Sequence, residues 1–181
     1  MKRARPRDVI LMQDETIVRL FPPLRMAWAP MGTQAKVPIT GDNARRVIFG
    51  AINIRTGHRV LHRDTSLKQS AFAAFLRKLH QRYRGRRLWL ILDKHGSHKA
   101  IGNLKLARAL GIELIPLPRQ CPQLNAMDHL WRETKRCVSA NRQFASITEH
   151  AQAVEDWIMQ LTPRQALRKA GVLSKNYWLR T

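Results

Sequence analysis

Acidic residues are scarce in this chain. Aspartate and glutamate together number 12 in 181 residues, against 33 lysines and arginines, for a formal charge of +21. A surface this basic repels itself unless something acidic binds it, so a charge-balanced, partnerless surface is the exception to be argued for. Nucleic acid is the leading partner, because each neutralised phosphate releases a counterion and favours binding. An anionic membrane surface is the second candidate, and a solvated basic shell the third. Cysteine is nearly absent: Cys121 and Cys137 stand in unlike surroundings. That excludes a disulfide framework and fits a reducing cytosol. Long apolar runs are missing too. The run at residues 9–12 follows a basic start and is stopped by Asp14 and Glu15. It is too short for a signal-peptide core, and nothing approaches the length of a membrane span. No internal repeat or low-complexity segment is present. The expectation is a soluble cytoplasmic, nucleoid-associated protein with no membrane contact.

The rest of the composition is that of a folded domain. Hydrophobic residues make up 44% of the chain, which excludes wholesale disorder, and the length suits one domain. The first half reads as strands: residues 9–12 and 17–20 flank Asp14 and Glu15, and Pro22 and Pro23 end that unit. Residues 46–55 (RVIFGAINIR) are β-branched and apolar, Thr56 and Gly57 mark a turn, and residues 58–62 return as a strand. The second half alternates. Ser66 with Gln69 forms a capping-box pattern, and apolar residues recur at helical spacing to about Arg84. Residues 88–92 (LWLIL) suit a strand buried on both faces. A helix ending at Gly111 and a strand over 112–117 follow, which implies a right-handed parallel crossover. Asn125, Ser146 and Thr162 each open a helix. The fold class expected is α/β: a mixed sheet, antiparallel strands first and parallel strands after, with helices packed on it.

With so few acids, their positions carry information. Asp14 closes the apolar run VILMQD, Asp93 closes LWLILD, and Asp128 stands near the start of the helix opened by Asn125. A carboxylate at such a rim does nothing for folding. Two on neighbouring strands repel, and each holds a raised pKa unless a cation neutralises them. Magnesium suits such a site: it is a hard ion that takes a few carboxylates plus water and phosphate. Two ions held close together stabilise the attacking and leaving oxygens of an in-line displacement at phosphorus. Taken singly, each acid has a plainer reading. Asp93 reads equally as a strand-to-loop residue, and Asp128 as a helix N-terminal acid favoured by the dipole. Glu15 is either a further ligand or a neighbour on the opposite face of its strand.

At these residues the sequence resembles the catalytic domain of bacterial insertion-sequence transposases of the mariner superfamily. Gln13, Asp14, Glu15 and Thr16 resemble that family's first acidic strand, and Trp28, Ala29, Pro30, Met31 and Gly32 its Trp-Ala-Pro-x-Gly segment. Phe49, Gly50 and Ala51 resemble the following strand. Leu92 and Asp93, with His98, Lys99 and Ala100, resemble the motif of the second acid. Leu117, Pro118, Pro122, Leu124, Asn125, Leu130 and Trp131 resemble the block around the third, with 34 residues between Asp93 and Asp128. The departures are Asp128 where bacterial members carry Glu, Lys94 in place of Asn, Arg119, Gln120 and Cys121 in place of Pro-Tyr-Ser, and Ala126 in place of Pro.

The resemblance implies a ribonuclease-H-like, five-stranded mixed sheet with C-terminal helices. Residues 1–145 would form the catalytic domain and residues 146–181 its helical extension. It implies a DDE/DDD transposase in which Asp14, Asp93 and Asp128 are catalytic and bind two Mg2+ ions, with Mn2+ able to substitute. The reaction would be strand cleavage and strand transfer at insertion-sequence ends. The implied partners are transposon-end and target DNA, a second copy in a homodimer, and a separately encoded helix-turn-helix half, since family members carry such domains ahead of the catalytic one. The rival reading is a catalytically inactive, truncated remnant or DNA-binding regulator.

Other residues divide between two readings. His98 and Lys99, and Arg132, Lys135 and Arg136 on the helix after Asp128, are candidate DNA contacts; the alternative is a loop histidine and a solvated helix face. The same choice holds for Arg77, Lys78, Arg82, Arg84, Arg86 and Arg87. The pair His95 and His98 lacks the companions a zinc site needs. Trp131 and Trp157 are expected in the core, whereas Trp28 is either core or a DNA contact.

Overall fold

The computed structural model describes residues 5–93, 100–118 and 121–179. Strand β1 (Val9–Arg19) is the centre of a five-stranded sheet. On one side it pairs antiparallel with β2 (Arg45–Asn53), which pairs antiparallel with the edge strand β3 (Arg59–Asp64). On the other side it pairs parallel with β4 (Leu88–Leu92), which pairs parallel with β5 (Ile112–Pro116). The order β3-β2-β1-β4-β5 is the expected mixed sheet. The crossovers are α1 (Gln69–Arg82) before β4 and α2 (Ile101–Ala109) before β5. Gly111, at φ 68°, turns the chain out of α2 where a side chain would be strained. The tail carries α3 (Ala126–Thr134), α4 (Ile147–Gln160) and α5 (Pro163–Lys169).

Strand alternation sorts the core into two layers. Val9 and Leu11 of β1 point into one, with Phe49 of β2 and with Phe72, Phe75, Leu76 and Leu79 of α1. Ile10, Met12 and Val18 point into the other, with Met127, Leu130 and Trp131 of α3 and Ala151, Val154 and Ile158 of α4. Every residue of β4 is buried, as a strand covered on both faces requires. Each fully buried Phe or Leu in these layers contributes on the order of 2 kcal/mol of burial. Residues of α5 and Leu179 join the second layer, so the C-terminal helices share the core of the sheet.

Two local expectations need correction. β1 does not break at the acid pair: one strand runs through Asp14 and Glu15, held by continuous pairing with β2 from Leu11–Asn53 to Arg19–Arg45. Asp14 is therefore mid-strand, not at a strand end. The capping box at Ser66 does not form. The Asp64 carboxylate takes the Thr65 and Ser66 amides instead, and α1 starts after Lys68 with no side-chain cap. Beyond Thr134, α3 runs on into a wider turn over Lys135–Ser139, closed by Ala140 N–H donating to Lys135 O at 2.9 Å. The box at Thr162 and Gln165 forms in full.

Trp131 is buried as expected, whereas Trp28 is 102% exposed and so is not core. It lies between β1 and β2, in a segment whose root is tied to the end of the wide turn. There the Asn141 side chain accepts from Arg25 N–H at 2.7 Å and donates to Arg25 O at 2.9 Å.

Candidate active site

Asp14 and Asp93 come together through strand register. The last parallel pair between β1 and β4 is Met12–Ile91, and each aspartate lies two residues beyond it. Asp14 pairs across β2 with Gly50, so its side chain is on the α3 face of the sheet. Glu15 pairs with Phe49, whose ring belongs to the opposite layer. The acid pair thus splits between two faces, as alternation demands.

Asp128 reaches the same place because α3 is pinned to β1 at its first turn. The Asn125 side chain accepts from Met127 N–H at 3.0 Å, capping the helix, and its amide donates to Gln13 O at 2.9 Å. Ala126 N–H points at Met12 Sδ, 3.2 Å away. The body of the helix is seated by Gly50. A Cβ there would stand 2.5 Å from Met127 Cε and 2.6 Å from Trp131 Cζ2, so only glycine lets α3 lie this close to β2. The sequence showed Asn125 as a helix cap but gave no sign of its second bond. Gly50 stood in the resemblance without a stated role.

The electrostatics show that the carboxylates share a field. The carboxyl of Asp14 is pushed up from the ordinary 3.8 to about 8, first by burial, then by the charges of Glu15, Asp128 and Asp93. This is the signature of acids gathered without a counter-cation. Asp128 has a local partner, Arg132 Nε at 3.1 Å, one helical turn on. Asp93 is exposed at the end of β4. Among the described residues no three His, Cys, Asp or Glu side chains form a closed metal cluster. The acids are near enough to raise Asp14, but they are not drawn into a tight ligand set.

The candidate DNA contacts fare differently. Arg136 is paired with Glu133 at 3.0 Å, and Lys135 is exposed on the wide turn. Arg82 meets His58 at 2.9 Å, and Arg87 pairs with Glu113 at 2.6 Å. His98 and Lys99, with Lys94 and His95, lie outside the described residues. No described helix is long and apolar enough to cross a membrane.

This geometry agrees with what the chain is similar to. A family model, DDE superfamily endonuclease, matches residues 9–150. The chain belongs to that family. The 39 kDa protein of insertion element IS630 from Shigella sonnei is 24% identical over 156 residues, covering 85% of this chain and 46% of that protein. The chain thus spans about half the length of that relative. Among solved structures, the Mos1 transposase paired-end complex with the left transposon end superposes with a TM-score of 0.72 at 16% identity, over 97% of this chain and 55% of that one. The catalytic domain of the Mos1 mariner transposase gives 0.65 at 15% identity, over 93% and 78%. The fold of this DDE endonuclease is therefore that of the Mos1 catalytic domain. The matched span runs through all three aspartates, and it ends at His150, in the first turns of α4.

Proposed function

We propose that this DDE endonuclease domain is the catalytic part of an insertion-sequence transposase, and that Asp14, Asp93 and Asp128 are its metal ligands. The observation that carries the reading is the Asp14 carboxyl, held near 8 by burial and by three neighbouring acids inside a chain of net charge +21. A divalent cation relieves that repulsion, and an all-carboxylate donor set suits Mg2+, with Mn2+ as substitute. Mos1 structures with Mg and with Mn are among those similar to this chain, which supports the same ions here. Metal bound to these oxygens, most simply as a pair of ions, supplies charge neutralisation at phosphorus for an in-line displacement.

The chain's own residues supply position. β1 and β4 hold Asp14 and Asp93 side by side. Asn125 fixes the helix that carries Asp128. Arg132 neutralises Asp128 when no metal is present. Lys135, Arg132 and Arg136 form a basic helix face beside the acids that suits DNA phosphates, and His98 and Lys99 are assigned the same role. The surrounding cations draw the DNA backbone towards the acids, and catalysis is then mostly placement and charge stabilisation. Water cutting a strand at a transposon end, and the freed 3′-OH attacking target DNA, are the same displacement performed twice. A second copy, so that two ends are handled together, and a helix-turn-helix partner that reads the ends complete the proposal.

The test is Asp93→Asn. Metal-dependent nicking of DNA is expected to fall at least about a hundredfold with the fold unchanged by circular dichroism. Undiminished nicking would refute the assignment.

A further inference from the structure

The two faces of the sheet are covered by helices of different charge. From Thr65 to Leu92 there is no acid, and there is none in α2; seven lysines and arginines fall in the first stretch and two in the second. On the α3–α5 side the cations meet acids: Arg132 with Asp128, Arg136 and Lys169 with Glu133, and Arg63 with Glu155. On the α1–α2 side Arg87 pairs with Glu113. Among the described residues no acid pairs with Arg77, Lys78, Arg84, Arg86, Lys105 or Arg108, and all six are exposed. A surface that serves only solubility mixes both signs. One sign without interruption repels itself until an anion covers it. The two helices lie side by side. Asn103 Nδ2 donates to Gln69 O at 3.2 Å where both begin, and His80 Nδ1 donates to Leu110 O at 2.9 Å where both end. Ser70, Ala74, Arg77 and Gln81 recur at helical spacing on the outer side of α1, away from its buried Phe72, Phe75, Leu76 and Leu79.

We propose that the α1–α2 layer is a second DNA surface, which grips the phosphates of a duplex stretch separate from the strand at the carboxylates. Charge and shape argue for this partner. Duplex DNA carries one charge per about 1.7 Å of its axis, and each phosphate met by Arg or Lys releases a counterion. Helices packed side by side lie about 8–10 Å apart. That falls between the widths of the minor and major grooves, about 6 and about 12 Å. Cations on α1 and on α2 therefore reach phosphates on both sides of one groove. Such contacts hold a duplex in place without reading its sequence. Asp14 points to the α3 side, so the sheet and a helix layer about 10 Å thick stand between its carboxylate and this face. Strand transfer brings two duplexes together, and a second surface gives the other one a place. The inference rests on the proposed function for the origin of that DNA, but duplex binding is read without metal or cleavage.

The test is fluorescence anisotropy of the full chain with a short labelled duplex, in EDTA, over a range of salt. Arg77→Gln with Lys105→Gln should weaken binding at least about tenfold at about 0.1 M salt and lower the slope of log K against log salt by about 2. Arg164→Gln with Arg168→Gln, both exposed on α5, removes the same charge elsewhere and should leave the slope unchanged. Arg84→Gln with Arg86→Gln is the second variant should the first not fold. Equal losses in the α5 control, or an unchanged slope in the folded α1–α2 variants, overturns the proposal. Vesicles of phosphatidylserine in phosphatidylcholine present the other anionic surface. If the α1–α2 variant loses vesicle binding and keeps duplex binding, the face belongs to lipid and the proposal falls. Asp93→Asn separates the two readings: it should lose nicking and keep the duplex affinity. If it keeps nicking, the assignment of the carboxylates fails while the basic face is still judged by its own variants.

Discussion

Asp14 is the residue on which the metal-free protein is least comfortable. The folded chain holds its proton far more tightly than the unfolded chain does, about 8 against the ordinary 3.8. Its contribution to stability is therefore complete below about pH 4 and is lost as the pH climbs towards 8. At neutral pH without metal, Asp14→Asn should stabilise the protein by about 2–4 kcal/mol, because the amide is neutral in both states and spares the folded chain the cost of taking up the proton that the unfolded chain has lost. Chemical denaturation at about pH 5 and about pH 8 checks this: the gain should be large at the higher pH and small at the lower. A variant less stable than the parent at both would mean that the carboxylate has a partner that holds it charged.

At the scale of elements, the site depends on how closely α3 lies on β2 and where its first turn is pinned. Gly50→Ala drives a methyl into Met127 and the rigid Trp131 ring. It should cost about 1–3 kcal/mol, and it should lower metal-dependent nicking even under conditions where the protein stays folded. Unfolding midpoints and nicking rates measured together check it; loss of stability with nicking per folded molecule intact would show that the helix position does not govern the acids.

These two elements also show what could be read from the sequence. The sheet was legible because β4 is apolar at every position and β2 is a β-branched run, so period and composition agreed. The three aspartates were legible because acids are so few and each follows an apolar run or a cap. The continuity of β1 through Asp14 was not, since polar residues in mid-strand look like a break until the β2 partner is known. Nor was the bond from Asn125 to Gln13 O, or the contact beneath Gly50, because both join residues far apart in the chain. The wide turn at Lys135–Ser139 depends on packing and leaves no mark in residue type. The capping pattern at Ser66 misled because Asp64, two residues earlier, competes for the same amides.

For the whole molecule the question is how a chain of net charge +21 comes to hold a patch of negative charge at its centre. The surrounding cations make the approach of a polyanion favourable, but they leave Asp14 buried with its acid neighbours. On the proposed function, a cation bound among the acids settles both the protein and the incoming phosphate. That links stability to metal in a way cleavage assays alone do not reveal. The direct measurement is the thermal unfolding midpoint with and without millimolar Mg2+ at about pH 6 and about pH 8. The parent should be raised by Mg2+, more at the higher pH where Asp14 would otherwise have to ionise unaided, and Asp14→Asn should lose most of that response. A midpoint indifferent to Mg2+ at both pH values, or an equal rise in the parent and the variant, would contradict the carboxylate site.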